Sequence, residues 1–108
     1  MTEGEVVIVK LASGADLIGF MGLVDEEEGT FAVVRPHMMQ MVHTPQGAGI
    51  NMVPVHVFSD DPQSEEHEID IHALQYLTAY SPTQHIQDQF KQMLSGIVIP
   101  RSSIVMGG

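Results

Sequence analysis

The chain has 108 residues, fourteen acidic against four basic, and a formal net charge of −10. It contains no cysteine, which excludes a disulfide framework, a thiolate metal site and a cysteine nucleophile, and which suits a reducing cytoplasm. With Lys10, Arg35, Lys91 and Arg101 as its four basic residues it is poorly equipped for non-specific binding to a phosphate backbone, and no apolar run approaches the ~20 residues that span a bilayer.

The opening MTEGEVV is acidic where a secretory signal would be basic, so a cytoplasmic protein without a membrane segment is expected. The length predicts one domain, residues 1–108, divided into a β core over 1–80, a helix over 81–95 and a tail over 96–108. Val6 to Pro36 reads as three antiparallel strands with two tight reversals. Val7, Val9 and Leu11 point one way, and Val6 and Ile8 the other. Residues 12–15 turn the chain, with Gly14 free to take a positive φ. Leu17, Gly19, Met21 and Leu23 then alternate with Ile18, Phe20, Gly22 and Val24. Asp25 to Gly29 reverses the chain again, and the third strand runs from Phe31 through Pro36 to His43. Both faces of these strands are apolar, so both must be covered. Pro36 cannot donate to a ladder and marks an edge, a bulge or a bend. Met38, Met39, Met41 and Met52 form a methionine-rich zone that suits adaptable core or subunit-interface filling.

A hairpin loop at 44–49 leads into a fourth strand, Ile50 to Phe58. Residues 59–66, SDDPQSEE, read as a solvated, mobile excursion. Glu68 to Ile71 either continues the fourth strand or pairs beside it. His72 and Ala73 turn the chain into a fifth strand, Leu74 to Tyr80. Ser81, Pro82 and Gln84 supply an N-cap, an N1 proline and a capping box for a helix over 82–95. Ile86, Phe90, Met93 and Leu94 make its apolar stripe, and Gly96 its C-cap. The tail from Ile97 is apolar through Val105 and is expected to dock on the sheet or on a neighbouring subunit. The fold expected is mainly β: a strongly bent five-stranded antiparallel sheet, a small open barrel, with one C-terminal amphipathic helix.

The first of these stretches resembles the first motif of the Sm-like family, in which Gly14, Gly19 and Asp25 fall at the family spacings and Gly29 stands where an asparagine is usual. Gly19 would let a long strand bend sharply. The short segment before Val6 leaves no room for the helix the family often carries there. The second motif is placed at IDIHALQYLTAY, residues 69–80, where His72 and Ala73 replace the usual Arg-Gly. IVIPRSSIV, residues 97–105, is a rival placement that retains Arg101. Lys10 to Gly14 together with Ser95 to Pro100 extends the likeness to small Sm-like proteins of marine phages that infect cyanobacteria. The resemblance implies a homo-oligomeric ring of roughly five to seven subunits joined through open strand edges. It also implies single-stranded RNA or DNA as a partner, and the cytoplasm of an infected host as location.

The family's uridine pocket does not carry over residue by residue. The stacking position is Glu27, the asparagine position Gly29 and the arginine position His72. Any nucleic-acid contact must use other groups, and the candidates are Lys10, Arg35, His37, His43, His72, Lys91 and Arg101, with Tyr76 and Tyr80 available for stacking. Glu68, Asp70 and His72 alternate onto one strand face and could ligate a divalent ion, but the solvent face of a half-buried strand explains them better. His37 and His43 are too far apart along the strand to act as a local pair. No nucleophile triad, phosphate loop or catalytic carboxylate pair is legible, so no enzyme activity and no cofactor are expected. Two roles remain: a ring acting on nucleic acid during RNA or DNA processing, and a ring that serves as a structural or protein-interaction module.

Overall fold

The computed structural model describes residues 2–95. They form strands β1 (Val6–Leu11), β2 (Asp16–Asp25), β3 (Thr30–Thr44), β4 (Gly47–Pro54), β5 (Glu68–His72) and β6 (Tyr76–Tyr80), with a single 3-10 turn at Ala73–Gln75 and a helix, α1 (Gln84–Leu94). The sheet is antiparallel, in the order β4-β3-β2-β1-β6, with β5 also paired to β3. Among the described residues the architecture is mainly β with one C-terminal helix, as expected, but it has six strands and not five. The difference arises at β3, which is long enough to serve two partners along one edge. Its residues 30–34 pair with β5, and its residues 37–44 pair with β4.

The hand-over occurs at Arg35 and Pro36. Ile18 pairs with His37 and Phe20 with Val34, so two residues of β3 oppose Gly19 alone. Pro36 therefore marks a bulge, and Arg35 adopts φ 53°, in the left-handed region. A Cβ at Gly19 would lie 2.7 Å from the Val34 carbonyl oxygen, which is backbone and cannot swing away. Glycine is required there by this close approach as well as by the bend.

Alternation along the strands builds two cores. Val7, Val9, Leu17, Met21, Phe31, Val33 and Ile71 fill one face of the sheet. The Phe31 and Tyr76 rings, from β3 and β6, meet edge-to-face at 5.2 Å although β2 and β1 lie between their strands. The sheet therefore curls over this face. Its hydrogen bonding does not close, because β5 and β6 pair with β3 and β1 and not with each other. Val6, Ile8 and Ile18 occupy the opposite face with Phe90 of α1, and Ile86, Met93 and Leu94 pack beside them. One apolar face is thus covered by curvature and the other by the helix. The methionines divide accordingly: Met38 joins the first core, Met39 and Met52 the second, and Met41 is exposed.

Several boundaries differ from expectation. β4 ends at Pro54, and residues 55–58 are turns that leave Phe58 fully exposed. The segment that follows is tied down: Arg35 N–H donates to the His67 carbonyl at 2.8 Å and Arg35 Nε to the Gln63 carbonyl at 2.7 Å. His56 and His67 stack with ring centroids 4.3 Å apart. Leu74 belongs to the 3-10 turn, so the last strand starts at Tyr76. Thr83, not Ser81, caps α1, its hydroxyl accepting from Ile86 N–H at 3.4 Å. Pro82 is buried and precedes the cap, which leaves Ser81 in the extended link and the Ser81–Gln84 box unformed. The expected Gly96 cap, the apolar tail and the rival motif at 97–105 lie outside the described residues. Among the described residues no helix is long and apolar enough to cross a membrane.

Candidate functional site

Among the described residues β6 ends the sheet on one side, and β4 and β5 share the other, outer edge of β3. β5 is bonded on one side to β3, β6 on one side to β1, and three residues join them. The link is rigidly capped: Leu74 N–H donates to His72 Nδ1 at 3.3 Å, and His72 N–H donates to Gln75 Oε1 at 2.7 Å. Ile71 turns inward and is buried, so Glu68, Asp70 and His72 point outward and are exposed. Leu74 is 86% exposed, Leu77 70% and Tyr80 44%. Apolar side chains thus stand exposed beside two strand edges that no described strand pairs with.

The candidate nucleic-acid residues are not gathered into one surface. Lys10 lies opposite Asp16 across the first hairpin, and its Nζ is 3.1 Å from an Asp16 carboxylate oxygen. Arg35 is held by the Gln63 carbonyl and shares a shallow cavity with Asp61, Glu65 and Glu66. His43 is exposed near the tip of the β3–β4 hairpin, Lys91 is exposed on the last turn of α1, and His72 is engaged in its cap. Arg101 lies outside the described residues. Tyr76 is half-buried against Phe31, and Tyr80 stands at the open edge.

His37 has to be withdrawn from the contact set, because it is wholly buried. Its ring meets Phe90 edge-on at 5.3 Å, and Nδ1 is 2.8 Å from the Arg35 carbonyl oxygen. A nitrogen facing a carbonyl must carry the proton, so Nε2 holds the lone pair, buried and without a partner among the described residues. Burial pushes the His37 pKa down, the Arg35 carbonyl opposes that, and the Arg35 charge adds to it. As pH falls through the ordinary value of 6.5, the unfolded chain takes up this proton before the folded chain does. Stability is therefore complete above that value and declines below it. Below the ordinary value of 6.5, His37 is expected to lower stability as pH falls, by at most about 1.4 kcal/mol per pH unit for its one proton. Denaturant titrations across that range check it: His37→Gln should flatten the slope, and an unchanged slope would assign the effect elsewhere.

The sequence reading missed a second surface. Leu23, 72% exposed, and Val24, 59% exposed, stand with Ala32 in a groove of about 590 Å³ whose remaining lining is Thr30 and the carboxylates of Asp25, Glu26, Glu27, Glu68 and Asp70. The signal was the adjacent pair Leu23-Val24, apolar in succession where the strand leaves the core. Glu68, Asp70 and His72 lie on one strand face, yet among the described residues no three ligating side chains converge on a metal position. No model of a known protein family matches the chain, and no curated protein sequence matches it.

Proposed function

We propose that this chain is a ring-forming module of Sm-like architecture that acts as a structural or protein-interaction scaffold. One observation carries the reading: among the described residues consecutive strands β5 and β6, joined by three residues, are each bonded on one side only, β5 to β3 and β6 to β1. The β5 edge of one copy can add to the β6 edge of the next. Such a head-to-tail contact closes into a ring when the rotation permits, and five to seven copies is the number the resemblance implies. The curled sheet, the close approach at Gly19 and the positive φ of Gly29, which asparagine also tolerates, support the resemblance in backbone shape. The side chains at 27, 29 and 72 do not reproduce the family's base pocket.

The second reading, a ring that binds single-stranded RNA or DNA and assists its processing, is favoured by exposed Lys91 and His43, which assembly would repeat in every copy. Among the described residues Lys91 has no ion pair. A net charge of −10 per copy opposes this reading, because each phosphate contact needs a cation.

Mass measurement in solution, combined with salt titration of labelled single-stranded RNA and DNA, tests both. A particle of about five to seven copies that binds neither probe at low salt is the expected result. Binding that weakens steeply with salt would promote the nucleic-acid role. A stable monomer would overturn the ring.

A further inference from the structure

α1 rests on the sheet by one anchor, and that anchor sits on a titratable ring. Phe90 and His37 are both wholly buried, and Phe90 is the only buried residue of the helix. Ile86, Met93 and Leu94 pack beside it and stay half-buried. The strands beneath are held differently. His37 pairs with Ile18 of β2 and with Pro54 of β4, so its strand has a backbone ladder on both sides. α1 closes its backbone hydrogen bonds within itself and meets the strands through side chains. Of the elements around the ring, the helix is therefore the one that can leave at least cost.

A second proton on that ring has no acceptor. Nδ1 already donates to the Arg35 carbonyl oxygen at 2.8 Å, and Nε2 is buried without a partner among the described residues. Protonation would turn Nε2 into an unpaired donor and add a charge beneath a phenyl ring, which costs far more than burying the neutral imidazole. The groups around it offer no relief. Arg35, two residues along β3, is itself a cation and opposes the proton. Lys10 of β1 and Asp16 of β2 pair with each other at 3.1 Å. β4 carries no titratable side chain, and His56 beyond it stacks on His67. On α1 itself, His85, Asp88 and Lys91 are exposed.

We propose that α1 is an acid-released cover: protonation of His37 lifts the helix from β2 and β3 while the strands stay paired, and opens the apolar layer of Ile8, Ile18 and Phe20 to water. A ring in water takes up its proton as pH falls through 6.5, and the ring under Phe90 does so only at lower pH. Acid therefore favours the open form. Lifting also unravels the helix, because eleven residues are too few to stay helical in water without packing. The acid loss of stability is thereby given a place: α1 goes first. The switch does not use the β5–β6 edges on which assembly is proposed to rest.

Amide hydrogen exchange of the whole chain, corrected for the intrinsic rate at each pH, tests this. The amides of α1 are expected to exchange through an opening with a weaker denaturant dependence than the one that frees β1, which is paired on both sides, because the helix exposes less surface than the whole fold. Between about pH 7.5 and about pH 5 the α1 opening should grow by about fivefold or more, one proton changing it by at most about tenfold per pH unit. Smaller growth would overturn the switch. So would a single opening, with one denaturant dependence, shared by α1 and β1, since the helix would then leave only with the fold. His37→Gln should keep the α1 opening and remove its growth with acid, and His37→Asn serves if the glutamine variant does not fold. His85→Gln, on the exposed side of the same helix, should keep the growth. Growth that persists without His37, or that disappears with His85, would assign the proton elsewhere and overturn the proposal.

Discussion

The double substitution Leu74→Glu, Leu77→Glu is expected to reduce the particle from several copies to one while leaving each copy folded. Both side chains lie at the β5–β6 seam, and at 86% and 70% exposure they contribute little to the chain's own core. In a strand-addition contact they would stand at the junction of two copies and lose water. Each carboxylate taken into such a contact without a counter-charge costs several kcal/mol, so the two together should weaken association by a factor of at least about 10³. The structure offers no nearby rescue, since the basic side chains with described positions are Lys10, Arg35 and Lys91, and the first two are already held by Asp16 and Gln63. Sedimentation or light scattering reads the mass, and far-UV circular dichroism with a denaturant titration reads the fold. A variant that retains the parent mass would remove β5 and β6 as the joining edges. Loss of both mass and fold would show that the seam supports the copy itself.

Much of the sheet was legible because alternation is a local signal. Val7 and Val9 against Val6 and Ile8 predicted two faces, and the two cores divide along that line. Gly19 was legible for its bend, although the tight approach to Val34 depends on where β3 lies and could not be read from β2 alone. The sixth strand was left open because pairing is non-local: Glu68–Ile71 could continue the fourth strand or pair beside it, and nothing in those residues states that they share an edge of β3 with β4. The helix cap slipped by two residues because Ser81 and Thr83 are both competent caps, and it is Thr83 whose hydroxyl accepts from Ile86 N–H.

The candidate contacts were least legible, because residue type was read without register. Lys10 and Asp16 are six apart in sequence but face each other across the hairpin, which removes Lys10 as a free cation. His37 counted as a strand histidine until the helix closed over it. The groove at Leu23 and Val24 went unread for the opposite reason, since two adjacent apolar residues at a strand end suggest burial and the fold leaves them in water.

Phe90→Ala should show how much of the outer layer depends on one side chain. Phe90 is wholly buried and is the only buried residue of α1. Its ring lies 5.3 Å from both Phe20 and His37, so it holds the helix to β2 and β3 at once. Removing a buried phenyl group loses transfer free energy and leaves a cavity, about 3–5 kcal/mol together, against a total of about 5–15 kcal/mol for a domain of this size. The denaturation midpoint should drop sharply. A second effect distinguishes this from simple loss of packing. Phe90 helps keep water from the His37 ring, and burial is the main cause of the depressed His37 pKa. With the phenyl gone, that pKa should rise back toward 6.5, and the decline in stability on acidification should become shallower. Paired denaturant titrations at neutral and mildly acidic pH read both effects in one experiment. A lower midpoint with the parent slope would mean that His37 stays dry without Phe90, and that the strands rather than the helix exclude water from its ring.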